Sequence, residues 1–306
     1  MLEAHLKPNT PRLCAIVAYY PTAIPSPNTH FPPSVQVLVH LAGAEVGVRR
    51  TTEVLGIQGK RKTVRKRVDP GAGYGQSLKL GYKAYTYSGC EPGFAEHDLD
   101  EYDAVAEGVA FTRSLTTVRR GFRLEPDIEG VHDPLTDATK AGQTEKAMKQ
   151  TGEYAHVIHG PTLTGGVGTK DLSRFYQEFF QPLPPSFHAR LLSRTVGTDR
   201  VVDELFVTFM HSQEIAWILP DIPATGKKVE IIIVSIVCVR GGKLESEHVY
   251  WDQASVLVQV SLLSPKAVPE AMKKQGVEEL PVTGAEAARA VKRGSSKHLN
   301  ELMLDW

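Results

Sequence analysis

The chain has 306 residues, of which 42% are apolar and 23% charged, and its 35 basic residues balance its 35 acidic residues. This length suits about two domains, and the composition is that of a soluble globular protein. The absence of net charge argues against nucleic acid or an anionic membrane as a partner. The three cysteines lie far apart without a CxxC pair, which argues against a disulfide framework or structural zinc and favours a reduced, cytoplasmic setting.

Neither end nor middle of the chain contains a targeting or membrane signal. The apolar run near the N-terminus is too short for a signal peptide and is cut off by Pro21. The longest apolar run, residues 229–239, is far shorter than a membrane span requires. We therefore expect a cytoplasmic protein without membrane contact.

The first third of the chain contains two short apolar runs, residues 13–20 and 35–41, and a third candidate strand at residues 82–87. Short and nearly uniformly apolar strands are typical of a parallel sheet that is covered on both faces. A helix is predicted over residues 99–115, where apolar side chains recur at helical intervals. The segment therefore indicates an α/β arrangement.

These elements, in this order, resemble the C-terminal half of an α/β-hydrolase of the dienelactone hydrolase family. The resemblance implies a nucleophile before the first strand, an acid after the next strand and a histidine before a Gly-Phe pair. This chain departs from that pattern, because no GxCxG or GxSxG occurs upstream, Glu45 is the nearest acid, and Pro92 precedes Gly93. We interpret residues 1–125 as a truncated, non-catalytic hydrolase-like segment, and lactone hydrolysis remains a disfavoured alternative.

Three further features are predicted to be structural. The basic run KRKTVRKR at residues 60–67 is interpreted as a solvated loop rather than a polyanion site, and GAGYG at residues 71–75 as a flexible connection. Residues 126–168 are poor in apolar periodicity and are interpreted as a linker. His156 and His159 in that segment have a spacing that could suit a metal, but no partner carboxylate is near them in the sequence.

Residues 169–306 are predicted to form an α+β domain. Thr169 is a plausible start for an amphipathic helix, and four strands follow at residues 190–195, 201–211, 229–239 and 244–252. The Gly-Gly pair between the last two strands predicts a β-hairpin. A helix followed by long hairpin-connected strands is typical of a curved sheet that wraps around one pocket.

Three motifs in this domain, SRTVGTDRVVDE, WILPDIPATGKKVE and EHVYWDQASVLVQ, occur in order. Together they resemble the SnoaL-like polyketide cyclase branch of the nuclear transport factor 2-like superfamily. The resemblance implies a homodimeric, cofactor-free cyclase, isomerase or dehydratase that acts by acid–base chemistry. Its small-molecule substrate would be an apolar, polyketide-like metabolite of a secondary-metabolism pathway.

Candidate catalytic residues come from the last strand, where side chains alternate between faces. His248, Tyr250 and Asp252 therefore share one face of the predicted strand. In the SnoaL-like cyclases an aspartate in this region is the acid–base, which implies that role for Asp252, with His248 to hold or relay the proton. On an ideal strand these two residues are about 13 Å apart. The predicted substrate-binding residues are Tyr250, Trp217, Arg194, Glu204, His211 and Asp221.

Several alternatives stay open at this point. Asp203 and Glu247 are further polar residues on predicted strands. Arg194, Asp203 and Asp221 could resemble the acid–arginine–acid set of the limonene epoxide hydrolase branch, which activates water. A zinc site built from His211, His248 and Glu204 is disfavoured, because three strands would have to converge, so we expect no metal or cofactor. A binding or dimerisation module without turnover is the main alternative to an enzyme.

Overall fold

The computed structural model describes residues 13–43, 45–50, 62–67, 74–77, 80–87, 89–294 and 299–303. The chain divides into two compact units, Met1–Pro126 and Asp127–Trp306. Within the described residues, no helix combines the length and apolar character needed to cross a membrane. Residues 60–61 of the basic run and residues 71–73 of the glycine-rich segment lie outside the described residues.

The first unit contains two small sheets and one long helix. One sheet has the order β1-β3-β7-β6, and the other has the order β2-β4-β5. The element bounds are β1 (Ala15–Tyr19), β2 (Ala23–Ile24), β3 (Gln36–Ala42), β4 (Glu45–Arg50), β5 (Lys62–Arg67), β6 (Tyr74–Ser77), β7 (Lys83–Tyr87) and α1 (Ala104–Phe122).

The predicted parallel pairing in the first unit is confirmed for three strands, whereas β6 joins the same sheet antiparallel to β7. β1 pairs with β3 and β3 with β7, both in parallel. Helix α1 begins later than predicted, because the side chain of Asp103 accepts hydrogen bonds from the backbone of Val105 and Ala106 and so caps the helix there. The basic run differs from the predicted loop, since residues 62–67 form strand β5, antiparallel to β4. The hydrolase-like interpretation of this unit stays a prediction.

The second unit contains one six-stranded sheet with helices. Its strands are β8 (Thr151–His159), β9 (Thr164–Val167), β10 (His188–Val196), β11 (Arg200–Met210), β12 (Lys228–Arg240) and β13 (Lys243–Trp251). Its helices are α2 (Glu129–Lys140), α3 (Thr144–Lys149), α4 (Gly168–Phe175), a π-helical turn (Tyr176–Phe180), α5 (Gln253–Gln259), α6 (Glu270–Lys273) and α7 (Ala285–Arg293).

Residues 126–168 are not the linker that their composition predicted. They form α2, α3, β8 and β9, and β8 pairs in parallel with β13 inside the main sheet. Helix α2 buries only His132, Leu135 and Ala138 and contains Pro134. Because one of its three buried residues is polar and a proline interrupts the sequence, the helix has no clear apolar period.

The sheet has the strand order β10-β11-β12-β13-β8-β9. The predicted hairpin is confirmed, since β12 and β13 pair in an antiparallel manner around Gly241 and Gly242, whose φ angles are 56° and 73°. Positive φ at both central residues is the requirement of a tight type I′ turn, which glycine meets without strain. The main hydrophobic core joins these strands to α2, α3 and α4.

Candidate functional site

A cavity of about 330 Å³ lies in the second unit. This volume is at the lower end of the range of small-molecule sites. Its wall is mostly apolar, with Leu135, Tyr176, Phe180, Leu183, Phe187, Ala189, Leu191, Leu205, Val207, Trp217, Ile233, Val237 and Val249 among the lining residues. The other lining residues are polar, and their chemistry defines the candidate site: His132, Asp133, Thr136, Asp137, Thr139, Lys140, His159, Arg194, Asp203, Ser235 and Glu247.

One row across the sheet carries several of these polar groups. Arg194 of β10 pairs with Asp203 of β11, and Asp203 pairs with Ser235 of β12. Ser235 pairs with Val249 of β13, which pairs with His159 of β8. Residues paired in register share one face of a sheet, and all five line the cavity. The strand register therefore brings together residues that are far apart in the sequence.

Glu247 of β13 contributes a half-buried carboxyl group to the cavity wall. Its side chain borders the cavity and accepts a 2.9 Å hydrogen bond from Ser235 Oγ. Desolvation raises the pKa of Glu247, and the Asp203 carboxylate raises it further, against the Ser235 hydrogen bond and the charges of His132 and Lys140. A carboxyl group with a raised pKa at the wall of a cavity can accept a proton from a ligand and return it.

A cluster of charged side chains lines part of the cavity. Arg194 donates from Nε and Nη2 to the two carboxylate oxygens of Asp203, at 2.7 and 2.8 Å. Its Nη1 lies 3.0 Å from Glu129 and 2.9 Å from Asp133. The hydrogen bonds to these carboxylates raise the pKa of Arg194, so the guanidinium stays charged. His132 Nδ1 lies 2.8 Å from Asp133, and that contact lowers the pKa of the Asp133 carboxyl.

Aromatic rings cover another part of the wall. Trp217 stacks on Phe180 with a ring-centroid distance of 5.1 Å and lies 5.0 Å from the His159 ring. Burial lowers the pKa of His159 to about 4, so its imidazole is neutral at physiological pH. The groups that line the cavity therefore include the Glu247 carboxyl, the neutral imidazole of His159 and a flat aromatic surface.

The two predicted catalytic residues lie elsewhere. Asp252 is exposed and caps α5, where its side chain accepts from the backbone of Ala254 and Ser255. His248 does not line the cavity, and its Nε2 lies 3.1 Å from Nε2 of His156. His248 and Tyr250 do share a face, as the alternation of the strand predicts, but that face is opposite the cavity. The shared face of His248 and Tyr250 was predicted correctly, but the prediction that these side chains line the pocket was wrong.

The other predicted binding residues divide into two groups. Arg194 and Trp217 line the cavity. The other four do not line it. Tyr250 is 47% exposed, and Glu204 accepts a hydrogen bond from Ser193 on the opposite face. His211 is buried against Thr225, and Asp221 is an exposed turn residue with a φ of 58°.

The structure contradicts the zinc-site alternative and changes the residues of the water-activation alternative. Among the described residues, no group of three histidine, cysteine or acidic side chains is placed to hold a metal, so Glu204, His211 and His248 do not form the zinc site that was weighed. Arg194 does contact Asp203, but the second cavity acid beside it is Asp133 rather than Asp221. Asp133 belongs to α2, in the segment predicted to be a linker.

The sequence marked Glu247 only as a further polar residue on a predicted strand, and it did not mark His132 or His159 as residues of this site. A signal existed for Glu247, because it has the same strand parity as Val249 and Trp251, the apolar face of β13. An acid on the apolar face of a strand is the residue that points into a core or a pocket. No comparable signal existed for His132, whose helix was not recognised.

A separate histidine network occurs in the first unit. His40 is fully buried, with Nδ1 2.9 Å from the Tyr87 hydroxyl and Nε2 2.9 Å from Ser114 Oγ. Burial lowers the pKa of His40 to about 4. A serine beside a histidine is the contact expected of a nucleophile and its base, but His40 has no exposed surface, so we interpret the network as a link between β3, β7 and α1.

Comparisons with known proteins give only distant similarity. No family model matches the chain, and no curated protein matches it closely enough to count as a relative. A solved structure from Jannaschia sp. CCS1, provisionally named a SnoaL-like polyketide cyclase, is 14% identical, covers 46% of this chain and 99% of its own, and has a TM-score of 0.38. A provisionally named polyketide cyclase from Streptomyces antibioticus is 19% identical and covers 44% of this chain and 97% of its own, with a TM-score of 0.34.

A third solved structure is a hypothetical protein with a ketosteroid isomerase-like fold from Catenulispora acidiphila DSM 44928. It is 12% identical, covers 44% of this chain and 93% of its own, and has a TM-score of 0.35. At these identities and TM-scores the similarity assigns neither a family nor an activity to this chain. The function therefore has to be argued from the cavity.

Proposed function

We propose that the second unit is a cofactor-free enzyme that moves a proton to and from carbon in a small, largely apolar molecule, with Glu247 as the acid–base. Cyclisation, isomerisation and dehydration are the reactions that this chemistry serves. The observation that carries the proposal is the Glu247 carboxyl at the wall of an apolar cavity, with a pKa raised by desolvation. A polyketide-like substrate agrees with the motifs of the sequence and is part of the proposal.

The proposed step begins with Glu247 ionised. The carboxylate removes a proton from a carbon next to a carbonyl group, and the electron pair of the broken C–H bond moves into an enolate. Ser235 keeps the carboxylate oriented through its 2.9 Å hydrogen bond. Return of the same proton to another carbon completes an isomerisation. In a cyclisation the enolate carbon attacks a second carbonyl group, the electron pair of its C=O π bond moves to the oxygen, and that alkoxide takes the proton back from Glu247. A positioned base contributes about 10²- to 10⁴-fold to such a step.

Glu247→Gln tests the proposal, because it keeps the shape of the side chain and removes its basicity. The assay is exchange of α-protons for deuterium in a panel of small cyclic ketones, followed by NMR in D2O. We expect the unmodified protein to accelerate exchange for at least one ketone and Glu247→Gln to lose about 10²-fold or more. Asp252→Asn is the control and should keep the rate. Equal rates for the unmodified protein and Glu247→Gln would exclude Glu247 as the base.

Water activation is a second candidate, favoured by the bridge that Arg194 makes between Asp203 and Asp133 at the cavity. One carboxylate of such a pair can take a proton from water while the other group protonates the leaving oxygen. Incorporation of ¹⁸O from labelled water into a panel of small epoxides would test it. Loss of incorporation in Asp133→Asn with full activity in Glu247→Gln would favour hydrolysis over proton transfer at carbon.

The binding module without turnover remains the third possibility in this set. It would be favoured if ligands bound in the cavity with equal affinity to the unmodified protein, Glu247→Gln and Asp133→Asn, and if none of these proteins converted them. A homodimer is also part of our proposal, and the molar mass in solution from light scattering tests it directly.

A further inference from the structure

A line of hydrogen bonds lies behind His159 at the cavity wall. His159 Nδ1 is 3.0 Å from Thr164 Oγ1, and Thr164 Oγ1 is 3.1 Å from Thr162 Oγ1. Thr162 Oγ1 donates to the backbone carbonyl of Trp217 at 2.8 Å. Thr164 Oγ1 also lies 3.4 Å from the same carbonyl, which is the longest contact of the group. The three shorter contacts form a line that ends on an acceptor without a proton to give.

Counting protons assigns the tautomer of His159. Three contacts need three protons, and each threonine hydroxyl supplies one. The proton of Thr162 goes to the Trp217 carbonyl, the proton of Thr164 then goes to Thr162, and the third must come from His159 Nδ1. The opposite tautomer would leave the two threonine oxygens facing each other at 3.1 Å without a proton between them. The hydrogen-bond network therefore places the proton on Nδ1.

This tautomer leaves a lone pair on Nε2, the ring nitrogen that remains for a ligand. The ring lines the cavity beside Trp217 and Phe180. Since burial keeps the imidazole neutral, Nε2 is a hydrogen-bond acceptor and not a donor. The oxygen of a ligand carbonyl group would face the Nε2 lone pair without a proton between them. A ligand hydroxyl group could instead donate a hydrogen bond to Nε2.

The strand register sets the distance between this acceptor and the acid–base. His159 pairs with Val249, and Glu247 lies two residues further along the same strand and face. Neighbouring strands are about 4.8 Å apart and two residues advance about 6.6 Å, so the two Cα atoms are about 8 Å apart. A fused two-ring molecule can reach both side chains at once.

We propose that the cavity selects small, uncharged ring compounds that carry a hydroxyl group, and that this hydroxyl donates its proton to His159 Nε2. The reacting carbon would then lie towards Glu247, in a second part of the same molecule. An uncharged group suits the wall around His159, because that ring lies beside the aromatic rings of Phe180 and Trp217. The inference rests on the proposed function for the role of Glu247, but recognition of the hydroxyl group does not require turnover.

The binding test compares 2-naphthol with 2-methoxynaphthalene, which has the same ring system and no hydroxyl proton. We expect the unmodified protein to bind 2-naphthol about ten- to a hundredfold more tightly, because an unpaired buried acceptor is costly. His159→Phe should bind both probes equally, and Thr164→Val should weaken the preference, because it removes the group that fixes the tautomer. His156→Phe is the matched control, since His156 lies on the same strand outside the cavity, and it should keep the full preference.

Nitrogen-15 NMR of histidine-labelled protein gives a second measurement that needs no ligand. We expect His159 to show a protonated Nδ1 and an unprotonated Nε2 at pH 7, with the signal assigned by its loss in His159→Phe. Protonation at Nε2 overturns the proposal. So does the absence of a preference in the unmodified protein, whether it binds both probes or neither.

The same probes separate this inference from the proposed function. If Glu247→Gln keeps the rate of proton exchange and also prefers 2-naphthol over 2-methoxynaphthalene, the proposed function fails and the hydroxyl recognition stands. If Glu247→Gln loses exchange and the unmodified protein shows no preference between the probes, the acid–base role stands and the hydroxyl recognition fails.

Discussion

Glu247 and His248 are neighbours in the chain and lie on opposite faces of β13. Glu247 borders the cavity and accepts a hydrogen bond from Ser235, whereas His248 pairs with His156 on the other face. The difference follows from the period of two along a strand. Two neighbouring residues of a strand therefore face opposite sides of the sheet. Of this pair, Glu247 is the titratable group on the cavity side and His248 the one on the other side.

The stability of the protein should depend on the charge of Glu247. Its pKa is raised above the ordinary value of 4.5, so the folded state binds the proton more tightly than the unfolded state. The free energy of unfolding should therefore fall as the pH rises through the window between the unfolded and folded pKa values. Glu247→Gln removes this loss and should melt at a higher temperature than the unmodified protein at pH 7.

Thermal melts followed by circular dichroism between pH 4 and pH 8 would measure the effect. The advantage of Glu247→Gln should shrink as the pH falls, because the native carboxyl is then protonated as well. Glu245→Gln, at an exposed position of the same strand, should show no such advantage. A lower melting temperature for Glu247→Gln at pH 7 would contradict the assignment of Glu247 as a desolvated acid.

Acid should destabilise the second unit through His159. Its pKa is lowered from 6.5 to about 4, so below pH 6.5 the unfolded state takes up a proton that the folded state does not bind. Stability should therefore decrease as the pH falls from 6.5 towards 4. His159→Gln should melt with a shallower dependence on pH across that window.

Tryptophan fluorescence is suited to this measurement, because Trp217, Trp251 and Trp306 all belong to the second unit. His188→Gln serves as the control, since His188 is exposed on β10 and its loss should leave the pH dependence unchanged. An unchanged dependence in His159→Gln would show that this imidazole is not buried in its neutral form. His40 should contribute a similar effect in the first unit, where tryptophan does not report.

Removal of Arg194 should be strongly destabilising. Arg194→Met leaves the Asp203 carboxylate, which is 5% exposed, without its two hydrogen bonds from the guanidinium. Loss of one partner of a buried ion pair costs about 3–5 kcal/mol. Urea unfolding followed by tryptophan fluorescence would measure the change in the free energy of unfolding.

Arg174→Met is the matched control for that experiment. Arg174 makes a 3.0 Å ion pair with Glu178, but both side chains are exposed to solvent. Exposed pairs of this kind contribute about 0.3–0.5 kcal/mol. The double variant Arg194→Met with Asp203→Leu should recover part of the lost stability, because the carboxylates that still lose Arg194, those of Glu129 and Asp133, are about half exposed to solvent. Similar losses for Arg194→Met and Arg174→Met would contradict the buried character of the Asp203 pair.

Asp252 should affect stability and not catalysis. Its carboxylate caps α5 by accepting from Ala254 N at 2.9 Å and Ser255 N at 3.2 Å. Asp252→Ala should lower the free energy of unfolding by about 1 kcal/mol, whereas Asp252→Ser should restore most of it, because serine is also a good cap. Any activity found for the unmodified protein should persist in both variants. A loss of turnover in Asp252→Ser without a loss of stability would return Asp252 to the list of catalytic residues.

Local patterns in the sequence determined a large part of this protein. Uniformly apolar runs predicted the parallel strands β1, β3 and β7, and Gly241-Gly242 predicted the β12–β13 hairpin, because each depends on neighbouring residues alone. The same local logic predicted that His248 and Tyr250 share a face. It also marked Arg194 and Trp217 as residues of the pocket.

The tertiary structure decided which face of β13 borders the cavity, and with it the choice of Glu247 over Asp252. That choice depends on what packs on each side of the sheet, including α2 and β8, which come from the segment whose composition predicted a linker. Helix α2 supplies His132 and Asp133, and β8 supplies His159 through parallel pairing with β13. Strand alternation is fixed by the backbone, whereas burial, and the pKa shifts that follow from it, exists only once distant segments have packed together.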